Sequence, residues 1–320
     1  MVLRILALVL LSVWTCGSAI AADFWVGGNP CEGTPCTTPR SVEMSGRIVP
    51  GDAKRFEALL AKEGPSISGV ALRSPGGDVD EAMRIGRIVR AKLLRTLAPI
   101  SSPEGNVCMM GGSPEQASEC VCLSSCFLIY AGGVMRGGNV LGLHRPRYDE
   151  AFFANLPLEA ANRRYGAVIE RIKAYLLEMG IGDRYLDRML RVSSSEMEIL
   201  SKDEADRDLN GFIPAMAEWL KAKCGEIPEK EQKAMSSLTL YMALKDMPYS
   251  QLDDEFRAYV ADMSRRVTPE MERRYQAYSR REGEVTGCRN GALLEERRKR
   301  HGEFAEFDEL NRTGEKPGQK

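Results

Sequence analysis

Apolar and polar positions follow two rhythms along this chain, with the change near residue 158. Before it, short apolar runs alternate with longer amphipathic stretches. Residues 44–49 and 67–72 read as strands, and 94–100 as a third. Between them, Asp52 is placed to cap a helix running to about Lys62, with Phe56, Leu59 and Leu60 on one face. Asp78 caps a second helix whose Val79, Met83, Ile85, Ile88 and Val89 form an apolar stripe. The stretch 101–119, rich in Pro, Gly and Ser, reads as a surface insertion loop. An apolar run from Cys120 to Tyr130 stops at Ala131-Gly132-Gly133, and residues 139–143 make another strand that ends at His144. Alternation on this scale predicts an α/β domain with largely parallel pairing.

After residue 158 the period is helical. Helices are expected over 160–179 and 183–190, then a short capped helix after Ser201 and a terminal strand at Gly211-Phe212-Ile213. Beyond Lys221 the composition shifts to charged helices. The expected organisation is therefore a domain at 46–220 and a charged helical extension at 221–320. They are preceded by an irregular lead-in at 23–45, rich in Cys, Pro and Gly.

Residues 1–22 have the layout of a secretory signal peptide: Arg4, an apolar run from Ile5 to Trp14, then small residues ending at Ala21 or Ala22. Val13-Trp14-Thr15 before Cys16 lacks the small residues of a lipid-anchor site. Export to the periplasm or beyond is expected, and it changes the reading of the cysteines. Cys31, Cys36, Cys108, Cys120, Cys122, Cys126, Cys224 and Cys288 are then an even set suited to disulfides. Cys31 and Cys36 flank a turn, Cys224 and Cys288 bracket helical sequence, and the other four cluster. A zinc site is disfavoured because Cys120-Val121-Cys122 lacks the two-residue gap of a zinc knuckle. A net charge of -1 gives no reason to expect a nucleic-acid partner.

Three features carry candidate chemistry. Ser74-Pro75-Gly76-Gly77-Asp78 joins a strand to a helix, where glycines let backbone N–H groups approach a bound group. The same residues also make an ordinary turn. Ser124 and Ser125 sit between Cys122 and Cys126 at the start of a helix-like run, suited to a nucleophile or to a plain helix cap. His144 ends a strand, and the other histidine, His301, lies in the charged tail. His144 is thus the imidazole available to take a serine proton near neutral pH.

In this order the features resemble the proteolytic subunit of Clp protease, and more closely a group of exported relatives with the serine in a Cys-x-Ser-x-Cys pattern. The resemblance spans roughly residues 45–215. It implies a ClpP/crotonase-like repeated ββα core and a serine hydrolase, in particular a peptidase, that needs no cofactor or metal. Carried over, Ser124 is the nucleophile, with Ser125 as the alternative, and His144 the general base. The N–H groups of Gly76 and Ser125 form the oxyanion hole. The resemblance also implies peptide or protein substrates and homo-oligomers packed through the helix at 160–179. No ATPase partner is indicated. The family's third triad member, an aspartate, falls where this chain has Met197, flanked by Glu196 and Glu198. The competing expectation is a non-catalytic binding or assembly protein on the same fold; acyl-CoA chemistry is disfavoured by export.

Overall fold

The computed structural model describes residues 21–27, 39–102, 105–109, 119–148 and 153–313. The signal-peptide stretch and the Cys31/Cys36 pair lie outside the described residues.

The chain builds a mixed α/β fold around a six-stranded sheet. The sheet is made of β1 (Asp23–Gly27), β2 (Arg40–Ser45), β3 (Ile67–Arg73), β4 (Arg95–Leu97), β8 (Met135–Gly137) and β11 (Gly211–Phe212), in that spatial order. Neighbours from β2 through β8 are parallel, while β1 and β11 close the two edges antiparallel. A smaller sheet sets β9 (Leu141–Leu143) between β7 (Cys122–Leu123), parallel to it, and β10 (Glu198–Ile199), antiparallel. A parallel bridge from Ser74 to Cys122 joins the two sheets. Helices α1 (Asp52–Glu63), α2 (Val79–Ala91) and α3 (Cys126–Ala131) follow strands, the βα rhythm read from the sequence. Strands β5 (Ile100–Ser102) and β6 (Gly105–Val107) form a separate hairpin.

Helices α2 and α3 pack together, with Met83, Ile85, Val89, Phe127, Leu128 and Ile129 buried. Each such side chain contributes about 1.5–3 kcal/mol by leaving water. Helix α4 (Leu158–Glu178) locks onto this layer through Tyr175, whose hydroxyl donates to the Leu128 carbonyl at 2.6 Å. Helices α5 (Asp183–Arg191) and α6 (Lys202–Asp208) follow, the second capped by Ser201, which accepts from the Glu204 N–H.

The structure corrects several expectations. The lead-in holds two paired strands, because Phe24 and Val26 alternate inward and pack on the core. The second of these strands ends at Ser45 rather than 49, where Gly46 takes a φ of 87°. Gly51, not Asp52, occupies the cap of α1, and the Asp52 carboxylate instead accepts from the Val49 N–H at 2.9 Å. The strand expected over 94–100 stops at Leu97, just before Ala98 and Pro99; proline has no N–H to continue a ladder. Beyond it the 101–119 stretch begins in a hairpin instead of a loop. Strand β8 was not expected, since its buried Arg136 masks the apolar pattern; that side chain donates to the Met179 carbonyl at 2.6 Å.

The extension comprises α7 (Pro214–Cys224), α8 (Glu229–Leu244), α9 (Asp254–Arg266) and the long α10 (Pro269–Thr313). The expected boundary at residues 220/221 falls inside α7. Cys224 and Cys288 form a disulfide that ties α7 to α10. The long helix returns to the sheet domain, where Arg297 donates to the Pro65 carbonyl at 3.3 Å and Arg300 to that of Ala91 at 3.2 Å. Among the described residues no helix is long and apolar enough to cross a membrane.

Candidate active site

Ser124 lies at the seam between the two sheets. The Ser74 N–H donates to the Val121 carbonyl at 2.8 Å, and the Leu123 N–H donates back to Ser74 at 3.0 Å. The Ser124 N–H then donates to the Gly142 carbonyl at 2.8 Å. These bonds fix both sides of β7 up to the serine itself. Ser124 adopts a φ of 58°, a left-handed conformation that costs a non-glycine residue about 1–3 kcal/mol. Such a serine at a sharp strand-to-helix turn is the arrangement that presents a nucleophile in α/β hydrolases.

Two features hold this turn. Cys122 and Cys126 are joined by a disulfide that spans Ser124 and Ser125, and both cysteines are fully buried. On the other side, the glycine turn presses against the serine. A Cβ on Gly76 would stand 2.7 Å from the Ser124 Cβ and 2.8 Å from the Leu123 carbonyl oxygen. A Cβ on Gly77 would lie 2.0 Å from the Ile48 carbonyl oxygen. Both positions need glycine for closeness of approach. Cys108 and Cys120 form a second disulfide, so the four clustered cysteines pair among themselves.

His144 follows β9, the strand beside β7. The register pairs Cys122 with Leu141 and Leu123 with Gly142, so serine and histidine leave the carboxyl ends of neighbouring parallel strands. Ser124 and His144 both line one cleft of about 560 Å³, together with Arg47, Pro75, Gly77, Val79, Pro146, Arg147, Tyr148 and Ser194. Crevices at the carboxyl ends of parallel strands are the usual place for ligands in such sheets. Ser125, by contrast, is buried, and its hydroxyl has no hydrogen-bond partner.

The histidine is held less firmly. Burial lowers its pKa below the ordinary value, and the Arg147 charge acts in the same direction against a backbone contact at Arg145. Its Nδ1 is buried without a hydrogen-bond partner among the described residues. Strand β10 runs antiparallel to β9 with Glu198 opposite Leu143, so the next pair in that register sets Met197 opposite His144. The Met197 sulfur lies 2.8 Å from where a Gly142 Cβ would be, on the face of β9 that residue 144 shares. Glu198 is engaged elsewhere, accepting from Arg188 at 2.6 Å, and Glu196 is exposed.

The Gly76 N–H expected to face an oxyanion donates to the Ser74 hydroxyl at 3.1 Å. Gly77, one residue on, is the glycine that lines the cleft. Sequence reasoning did not single out Arg47, Arg147, Tyr148 or Ser194, which come to the cleft from loops with no motif of their own. The only hint was Arg147, three residues after His144.

No family model matches this chain, and no curated protein matches it. Among solved structures it is similar to a mutant of the 1510-N membrane-bound stomatin-specific protease. That likeness has 18% identity and a TM-score of 0.35, over 59% of this chain and 86% of that one.

Proposed function

We propose that this protein is a ClpP/crotonase-like serine hydrolase, specifically a peptidase, that works outside the cytoplasm. The observation that carries the reading is Ser124: a serine held at positive φ between a strand and a helix, opening into the same cleft as His144. In this reading Ser124 Oγ attacks the substrate carbonyl carbon while His144 takes its proton. The tetrahedral oxyanion meets the Ser125 N–H and an amide of the Gly76–Gly77 turn, with Gly76 sharing its donor between the oxyanion and Ser74. His144 then protonates the leaving amine, and water releases the acyl group from Ser124. The disulfides Cys122–Cys126 and Cys224–Cys288 support an oxidising compartment. The exposed face of α4 is the surface we assign to self-association.

A binding protein without catalysis is the second reading, favoured by one observation: Met197 stands where an orienting acid is needed. A neutral fluorophosphonate probe separates the two. Labelling that is lost in Ser124→Ala and kept in Ser125→Ala supports the hydrolase. A folded protein that takes no label supports the binding module.

A further inference from the structure

Two guanidinium groups, those of Arg47 and Arg147, line the cleft, and among the described residues no carboxylate does. Arg47 sits on the strip whose neighbours bind the glycine turn: the Ile48 N–H donates to the Gly76 carbonyl at 3.0 Å, and the Asp78 N–H donates to Ile48 at 2.9 Å. Arg147 arrives from the loop after His144, and its charge reaches that ring. Both arginines are exposed, and neither has an ion pair among the described residues. Asp78 and Asp80, whose charges reach Tyr148, do not line the cleft. Asp78 caps α2 by accepting from the Glu81 N–H at 2.8 Å, and Asp80 pairs with Arg171 at 3.3 Å. Among the described residues the lining of the cleft therefore carries two positive charges and no negative one, beside polar Tyr148 and Ser194.

We infer that this cleft selects substrates bearing a carboxylate beside the reacting bond, gripped by Arg47 and Arg147. Resting on the hydrolase reading, this names its substrate class: acidic peptides, or peptides ending in a free carboxylate. Guanidinium donors form paired, charge-assisted hydrogen bonds with a carboxylate. Positive walls around a cleft also raise the local concentration of anions. An amide in place of the carboxylate keeps the shape and loses both effects.

The test compares internally quenched depsipeptides with one backbone ester that differ only as Glu or Gln next to that ester, each with a free or an amidated C-terminus. Wild-type protein is expected to prefer the carboxylate by about tenfold in kcat/KM, carried by KM and shrinking with added salt. Whether the preference follows the side chain or the terminus tells which carboxylate is read. In the Arg47→Gln/Arg147→Gln double variant the ratio should fall to about one. A wild-type protein that labels with fluorophosphonate but turns over all four esters equally overturns the inference and leaves the hydrolase standing. So does a ratio that survives the double variant. Should wild type neither label nor hydrolyse, the hydrolase reading fails, and the peptides are titrated against Ser124→Ala by calorimetry. Tighter binding of the carboxylate forms, lost with the two arginines, then supports the inference; equal binding overturns it.

Discussion

The two walls of the cleft are built to different standards. The serine wall is fixed three times over, by backbone bonds on both sides of β7, by a disulfide across the turn and by glycines pressed against it. The histidine wall offers its ring a buried, unpartnered Nδ1 and a methionine across the strand. On the proposed hydrolase reading, a pre-set nucleophile beside a loosely oriented base makes the base the limit on the chemistry. Strain at Ser124 persists because its surroundings over-determine it; among the described residues the imidazole has a backbone contact at Arg145 and no disulfide or glycine turn against it.

The sharpest way to break this contrast is Gly76→Ala. The added methyl meets the Ser124 side chain and an oxyanion donor moves, so labelling should slow by about 10²–10³-fold. A rate within a few-fold of wild type would show that the turn does not shape the serine. Next comes Cys122→Ala/Cys126→Ala, expected to slow labelling by about 10²-fold, as for a reacting group displaced by ~1 Å. Unchanged far-UV circular dichroism would assign that loss to the turn.

On the other wall the expected sign is reversed. Met197→Asp gives His144 an acceptor and should raise kcat/KM by about tenfold, short of the roughly 10⁴ that a fully placed acid is worth. The pH profile sharpens the point. The base must be neutral and burial lowers its pKa, so the acidic limb of kcat/KM should lie below about pH 6.5 in the wild type. A new carboxylate favours the imidazolium, so the limb should move to higher pH in Met197→Asp. Failure of both changes would remove the histidine from its role. The smallest effect is on stability. Ser124→Gly relieves the positive φ and should raise the unfolding free energy by about 1 kcal/mol in a urea titration, while labelling is abolished.

Much of the scaffold was legible in the sequence, and the site was legible unevenly. Strand β3, the turn Ser74–Gly77 and the helix capped by Asp78 announce themselves through local rules, since an apolar run, paired glycines and a capping aspartate act within a few residues. Strand β8 did not, because three residues containing a buried arginine have no periodicity to read. The choice between Ser124 and Ser125 was open in the sequence, since neighbouring serines have the same composition. In the fold they differ in placement: Ser124 lines the cleft and Ser125 is buried. Arg47 and Arg147 are a hundred residues apart, and only the pairing of Ile48 with the glycine turn brings the first of them to the cleft.

The bond between Cys224 and Cys288 closes α8, α9 and half of α10 into a covalent ring. A protease that nicks the chain once inside this lobe does not release a fragment. The cut protein migrates as one species until a reductant is added and then separates into two pieces. A gel run without reductant is therefore blind to damage in the lobe, and a reduced gel shows it.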